Sequence, residues 1–327
     1  MPTRRKLALV ARSVILVALT VLCTQETGWR RPSPEKPAQP APAPPAVVPS
    51  EAAREASAMD ALAGPAAAGD LDVMTFNLRY ASDSPPHSWA QRRPVTRALL
   101  TTERPDLIGT QEGLSAQLAD IKADLGSGYD YIGLGRNGGD SGEHMAIFFK
   151  TARLLPQESG NFWLSETPTV PGSKSWGSFA TRMVTWVLFA DRETGRHFYA
   201  VNTHLDNRSE NARLHAAQLI RQRLAAFGSL PIVLTGDFNS AARSSSAVYH
   251  LLVDQAGFRD SWTTAPRRTK PYATIHNYQA LVPGGIQADW ILTSPGVTAS
   301  AVLMNTFRLG TQYPSDHLPV QARLRLP

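Results

Sequence analysis

The feature that most constrains this 327-residue chain is a recurring pattern: short apolar runs that each abut an amide, an acid or a histidine. Leu71–Phe76 stops at Asn77, and Leu107–Gly109 runs into Gln111 and Glu112. Phe198–Val201 leads to Asn202 and His204, and Ile232–Leu234 leads to Asp237 and Asn239. Trp290–Leu292 starts at Asp289, and Asp316 and His317 precede Val320–Leu326. Short apolar, β-branched runs bounded by turn residues read as buried strands. Strand ends at one rim of a layered fold converge, so residues remote in sequence can share a cleft. Taken singly, each Asn or Asp is also an ordinary turn residue, because its side chain bonds its own backbone. That explanation serves Glu112, His204 and His317 poorly.

Between the strands, helical spacing recurs at Val95, Leu99 and Leu100 before Pro105, at Leu114, Leu118, Ile121 and Leu125, and at Ala212, Ala216, Leu219, Ile220 and Leu224. Further strands fall at Tyr129–Leu134, Ala146–Phe149 and Val184–Phe189. Many strands with a few interspersed helices predict an α/β or α+β sandwich rather than a bundle. No internal repeat is present.

The N-terminus has a different character. Arg4, Arg5 and Lys6 precede an apolar run from Ser13 to Cys23, the layout of a signal peptide, and the run is short of the roughly 20 residues a membrane-spanning helix needs. The segment Thr3–Leu7 resembles a twin-arginine signal. Residues 1–30 are therefore expected to be a signal peptide or an N-terminal anchor, and the protein to be exported, secreted or held at the cell envelope. Residues 1–69 contain 10 of the 25 prolines, and residues 31–69 read as a disordered Pro/Ala-rich linker, lacking the periodicity to bury a helix. The folded domain is expected over 70–327.

Charge separates function classes. Of 33 Lys/Arg and 27 Asp/Glu, 8 and 5 lie before residue 70, leaving 25 against 22 in the domain. A net of +3 is far from the dense basic stripe of a tight nucleic-acid binder, despite the pI of 9.6. The only cysteine is Cys23, so the domain has no disulfide, thiolate metal site or cysteine nucleophile. Any metal must be held by oxygen and imidazole, which favours Mg²⁺, Ca²⁺ or Mn²⁺.

The segments TFNLR (Thr75–Arg79), PDLIGTQE (Pro105–Glu112), NTHLD (Asn202–Asp206), TGDFNS (Thr235–Ser240), ADWIL (Ala288–Leu292) and SDHLP (Ser315–Pro319) occur in this order across the domain. The series resembles that of the endonuclease/exonuclease/phosphatase family. GDFNSAARSSSAVYHLL and AIFFK lean toward its deadenylase/nocturnin branch, whereas Gln287-Ala288 stands where relatives often carry a basic and an aliphatic residue. The resemblance implies a DNase I-like, four-layered α/β/β/α sandwich of two mainly antiparallel mixed sheets. It also implies a metal-dependent phosphodiesterase, with nucleic acid as the first expectation for substrate and a phospholipid head group or small phosphoester next. The alternative of a non-catalytic binding module is opposed by the intact set of Asn77, Glu112, His204, Asp237, Asn239, Asp289 and His317. No feature calls for an obligate protein partner, though the N-terminus could tether the chain to a membrane.

By the same resemblance, Glu112 is the principal ligand of Mg²⁺ (Mn²⁺ substituting), with Asn77 and Asp316 completing or orienting the shell. Asp237 orients or deprotonates the attacking water. Asn239, two residues along an extended segment, points the same way and donates to a phosphate oxygen. His317 contacts the scissile phosphate with its tautomer fixed by Asp289, and His204 is the second phosphate-facing histidine. Further candidates for substrate contact are Arg136 and Glu143, with His144, in the glycine-rich stretch Gly135–Lys150, and Arg182 and His276. Trp89 with Arg92 and Arg93, and Phe162–Pro168, are candidate cleft walls.

Overall fold

In the computed structural model, which describes residues 56–327, each central strand sends alternate side chains to two faces with different neighbours. On Asp70–Asn77 (β1), Leu71 and Val73 face inward between two sheets, while Met74 and Phe76 face helices. On Leu107–Gln111 (β2), Leu107 points inward and Ile108 outward. On His197–His204 (β7), Phe198 and Ala200 point inward and Val201 outward. On Ile232–Asp237 (β8) and Asp289–Thr293 (β11), Val233 and Ile291 point inward, and Leu234, Trp290 and Leu292 outward.

The remaining strands are Tyr129–Ile132 (β3), Ile147–Lys150 (β4), Leu154–Trp163 (β5), Met183–Asp191 (β6), Arg259–Asp260 (β9), Arg267–Arg268 (β10), Thr298–Met304 (β12) and Val320–Arg325 (β13). They form a seven-stranded sheet in the order β10-β12-β13-β1-β2-β4-β3 and a six-stranded sheet in the order β5-β6-β7-β8-β11-β9. Only β1–β2, β7–β8 and β10–β12 pair in parallel. The helices expected from spacing are Trp89–Glu103 (α2) and Ser115–Leu125 (α3) on the outer face of the first sheet, and Glu210–Ala225 (α4) on that of the second. The result is the expected four-layered sandwich. Burying each Leu, Ile, Val or Phe of these layers is worth about 1.5–3 kcal/mol.

Close approach of the sheets is enforced locally. A Cβ on Gly109 would sit 2.0 Å from Thr235 Oγ1 and 2.8 Å from Asn202 Oδ1. Asn202, one of the polar residues near strand ends, is a clamp rather than a cleft residue. Its Oδ1 accepts from Gln111 Nε2 at 2.7 Å, and its Nδ2 donates to Thr110 O at 2.7 Å and Ala146 O at 3.0 Å.

Four strands escape the sequence reading, two of them, β9 and β10, being only two residues long. β5 carries mostly half-exposed residues and a register shift between Pro156 and Glu158, so it lacks clean alternation. The exposed start of β12 hides its buried end in the same way.

The linker boundary also needs correction. Ala58–Ala63 (α1) is a helix capped by Ser57, and Met59, only 2% exposed, packs against Ala301 and Leu303 of β12. Arg323 fixes it by donating to Asp60 Oδ1 at 2.8 Å and to Gly64 O at 2.5 Å. A six-residue helix with one buried apolar residue, Leu62 and Ala63 half-buried beside it and two polar anchors is too short a pattern for periodicity to register. The expectations of a signal or anchor at 1–30 and of the linker up to residue 55 lie outside the described residues.

Candidate active site

Asn77, His204, Asp237 and Asp289 have the same parity as the inward residues of their strands, so they extend the inter-sheet face past the end of the apolar core. Strand register sets Asp237 opposite Asp289 on one side and His204 on the other. Asn77 crosses between the sheets: its Nδ2 donates to Asp237 Oδ2 and to Glu112 Oε1, each at 3.0 Å.

His317, just before β13, places Nδ1 at 3.0 Å from Asp289 Oδ2. Both are buried. Burial alone would push the imidazole pKa down, but the carboxylates of Asp289, Asp237 and Asp316 more than offset it and raise it to about 10. Asp289 is itself held by strand pairing and by Trp290, which stacks on Phe238 at 4.2 Å. Asp237 is pushed up to about 7, first by burial and then by the charge of Asp289. That is a poised base.

His204 Nε2 lies 3.0 Å from Asn239 Nδ2 and 3.3 Å from Asp237 Oδ2. Burial holds this imidazole well below its ordinary range, so it is neutral at pH 7. Asn239 is at the site, but not for the expected reason. Its φ of 48° is left-handed, not extended, and its backbone N–H turns back to Asp237 Oδ1 at 2.9 Å. Its side-chain amide donates to Leu205 O at 3.0 Å and faces His204.

Glu112 sits on the opposite flank with a φ of 64°, accepting from Tyr80 N at 3.1 Å through Oε2. Arg79, Asn277 and Tyr278 share the left-handed backbone, so unusual geometry for non-glycine residues gathers at this rim. Arg79 reaches Asp316 at 3.7 Å. Glu112, joined to Asn77 at 3.0 Å, and Asp316, beside Arg79, offer oxygens of the kind a hard divalent cation takes. Asp237, Asp289 and His317 also offer ligand atoms within 4.8 Å of one another. A protonated His317 whose Nδ1 is committed to Asp289 has no lone pair to spare there, so the Glu112 flank fits a cation better.

The remaining candidates divide. Arg136 and Glu143 form an ion pair at 2.5 Å across the glycine-rich hairpin, and Glu143 also lies within the field of Arg182 and Glu112. Arg182 is 5% exposed. Its Nη2 donates to Asn207 Oδ1 at 3.3 Å and its Nε lies 3.9 Å from Asp206 Oδ2, but neither Nε nor Nη1 makes a hydrogen bond, and it senses Glu143, Arg136, Asp237 and Asp206. His276 braces the turn before β13: its N–H donates to Asp316 O at 2.9 Å, and its Nδ1 accepts from Tyr278 N at 3.1 Å. Burial lowers its pKa to about 4. His144 similarly ties the Glu112 loop through Gly113 O at 3.2 Å.

Arg92 is not a cleft wall. It is fully buried and donates to the carbonyls of Leu78, Arg79, Tyr80, His87 and Pro314, holding the Glu112 and Asp316 flanks together. Arg93 pairs with Asp120 and Asp124, and Trp89 Nε1 donates to Asp120 at 2.8 Å, so both lock α2 to α3. Phe162 and Trp163 are buried, Trp163 Nε1 fixing Arg136 O at 2.6 Å.

Sequence reasoning missed Asp206, the last residue of NTHLD. Its carboxylate accepts from Ser178 Oγ and from the N–H groups of Phe179, Ala180, Arg208 and Ser209. Those bonds outweigh burial and lower its pKa to about 2. It carries the Arg182 loop against the strand bearing His204. An acid directly after the histidine motif was the only available signal.

Buried carboxylates and histidines at the joined tops of two sheets, beside a buried arginine with free donors, define a class of hydrolytic phosphoesterases. The chain belongs to the endonuclease/exonuclease/phosphatase family, whose pattern matches residues 74–317. A mannosyl-6-phosphatase of Bacteroides thetaiotaomicron is 34% identical, with a TM-score of 0.72 over 78% of this chain and 99% of that one. A family member from Bacteroides vulgatus is 33% identical, with a TM-score of 0.74 over 79% and 99%. The human nocturnin catalytic domain, at 19% identity and a TM-score of 0.63 over 79% and 94%, shares the fold. No curated protein matches the chain.

Proposed function

We propose that the protein is a Mg²⁺-assisted phosphatase that releases inorganic phosphate from small hydroxylated phosphate esters, sugar phosphates first. The observation that carries this reading is Arg182, a buried guanidinium beside the site whose Nη1 has no partner and whose Nε makes no hydrogen bond, only a 3.9 Å ion pair with Asp206. Buried donors without partners are costly, and a dianionic phosphate satisfies them. Arg182 and the His317 imidazolium both act on His204, so the positive charge belongs to the site rather than to a stripe. The 34% identity to a mannosyl-6-phosphatase, across nearly all of that chain, supports the same substrate class.

Glu112, with Asn77 and Asp316, would hold the cation, which neutralises phosphate charge and stabilises the leaving oxygen. Asp237 orients the attacking water and accepts its proton, its raised pKa matching neutral conditions. His317, kept protonated and oriented by Asp289, donates to a phosphate oxygen. Arg182 binds another oxygen. Asn239 and His204 fix the position of Asp237.

A nucleic-acid phosphodiesterase is the second reading. One observation favours it: Phe179 is 53% exposed, with Arg208 at 3.6 Å over its ring, a cationic platform on which a base could stack. Phosphate release from hexose 6-phosphates, compared with cleavage of single-stranded DNA, RNA and an aryl phosphodiester, separates the two. Cleavage of the polymers alone would overturn the phosphatase reading. The charged and apolar N-terminal segments further support export, and finding the chain only in the cytoplasmic fraction would refute that.

A further inference from the structure

Arg92 stands in the opening turn of α2 and is fully buried. A guanidinium has five N–H donors. Arg92 commits each of them to a backbone carbonyl. Nε donates to His87 O at 3.0 Å, and Nη1 to Leu78 O at 2.6 Å and Pro314 O at 3.2 Å. Nη2 donates to Arg79 O and Tyr80 O, each at 3.1 Å. No carboxylate bonds it among the described residues. Burying a charge against neutral acceptors alone is costly, so what the carbonyls belong to matters.

Leu78, Arg79 and Tyr80 directly follow Asn77, and their N–H groups hold the Glu112 flank. Leu78 N–H donates to Gln111 O at 3.0 Å, Arg79 N–H to Asn77 Oδ1 at 2.9 Å and Tyr80 N–H to Glu112 Oε2 at 3.1 Å. Pro314 stands two residues before Asp316. One side chain therefore joins the turn that grips Asn77 and Glu112 to the turn that carries Asp316. Arg79 has a left-handed φ of 51°, which a non-glycine residue keeps only where its surroundings hold it. Its N–H is bonded and its carbonyl accepts twice, from Arg92 and from Gln117 Nε2 at 3.0 Å.

We propose that Arg92 is the positioning residue of the cation site: by fixing the Asn77–Glu112 turn against the Asp316 turn it sets the affinity for Mg²⁺, without touching cation or substrate. The inference rests on the Mg²⁺-assisted reading of this site. Charge and geometry act in opposite directions here. The guanidinium lies in the fields of Asp316 and Glu112, so its charge alone disfavours a second cation beside them. Its five bonds favour one by holding the ligands in place. Arg92→Lys separates the two effects, because it keeps the charge but offers three donors from one nitrogen to carbonyls arranged around a planar fork. Lost geometry predicts weaker Mg²⁺ binding, whereas a purely electrostatic role predicts no change.

The test is calorimetric titration of Mg²⁺, without substrate, into metal-stripped full-length wild type, Arg92→Lys, Gln117→Met and Met59→Ala, with a thermal melt of each. Met59→Ala disturbs the contact between α1 and β12 and controls for lost stability. In Arg92→Lys the Mg²⁺ dissociation constant should rise ~10–100-fold, the range for groups that orient metal ligands. Gln117→Met takes one donor from Arg79 O and should shift it the same way by less. Met59→Ala should leave it unchanged. Should Arg92→Lys fail to fold, Gln117→Met decides. A wild type that binds Mg²⁺ and site variants that bind it equally well, whatever their melting temperatures, would make Arg92 a structural anchor only and overturn the role. Equal weakening in Met59→Ala would overturn it too, by tracing the loss to general instability. A wild type with no saturable Mg²⁺ binding overturns the Mg²⁺-assisted reading itself, and this role with it.

Discussion

Asp289 and His317 enter the cleft from two different sheets, and their side chains meet at 3.0 Å between Oδ2 and Nδ1. β11 opens on the carboxylate and β13 follows the imidazole, so the pair forms only when the sheets are packed. Asp289→Asn keeps the shape and removes the charge that sustains the imidazolium. Turnover should fall ~10²–10⁴-fold, the range of positioned acid–base groups, with KM little changed. The double variant with His317→Ala should be hardly worse than His317→Ala alone, because the two act as a unit. Additive losses would break the pair.

The pH profile should be bell-shaped. Asp237 must lose its proton to act as base, so activity rises as pH passes about 7. His317 must keep its proton, so activity declines as pH approaches about 10. The stability linkage of His317 has a definite sign. Its folded pKa exceeds its ordinary 6.5, so its contribution is complete below 6.5 and is lost as pH rises through about 10. In Asp289→Asn the alkaline limb should move toward neutrality. An unmoved limb would assign it to another group.

Asp206→Asn should lower the melting temperature and mobilise the Arg182 loop. The substitution turns one acceptor into a donor facing donors, at a cost of ~2–4 kcal/mol. With a folded pKa depressed to about 2, the wild-type contribution is present above the ordinary 3.8 and disappears as pH falls through about 2. Acid unfolding of the variant should therefore lack this component. Equal melting temperatures for the two proteins would disprove the role.

Removing residues 1–55 should leave stability unchanged, whereas removing 1–69 should not. The longer deletion strips Met59 from β12 and removes two acceptors from a buried Arg323. Met59→Ala alone should cost ~2–4 kcal/mol as a large-to-small core change. Paired thermal melts of both truncations decide this. Identical melts would mean α1 adds nothing.

EDTA should abolish turnover, and Mg²⁺ or Mn²⁺ should restore it better than Zn²⁺, because the available ligands are hard oxygens. Glu112→Gln should raise the Mg²⁺ concentration for half-maximal activity and shrink the Mg²⁺-induced rise in melting temperature. Full activity in EDTA would remove the metal from the mechanism.

A sandwich and a set of candidate site residues were legible in local patterns of the sequence, while the four layers and the role of each residue came from the resemblance to the family. Apolar runs of strand length, helical spacing and a polar residue at each strand end survive in one dimension, so Asn77, Glu112, Asp237 and Asp289 could be named without coordinates. The N-terminal helix α1, the edge strand β5 and the true use of Arg92 and Asn202 could not, because their partners lie far along the chain. Arg92 is an unremarkable charge in sequence until five carbonyls from three segments close around it. Protonation states belong to the same category. The neutral His204 and the cationic His317 are one residue type, and what separates them is burial near Arg182 in the first and the carboxylates of Asp289, Asp237 and Asp316 around the second. The sequence by itself determined which chemical groups line the cleft. Tertiary structure decided which of them carry charge and which are scaffold, since burial and opposing charges from distant segments exist only after the sheets have closed.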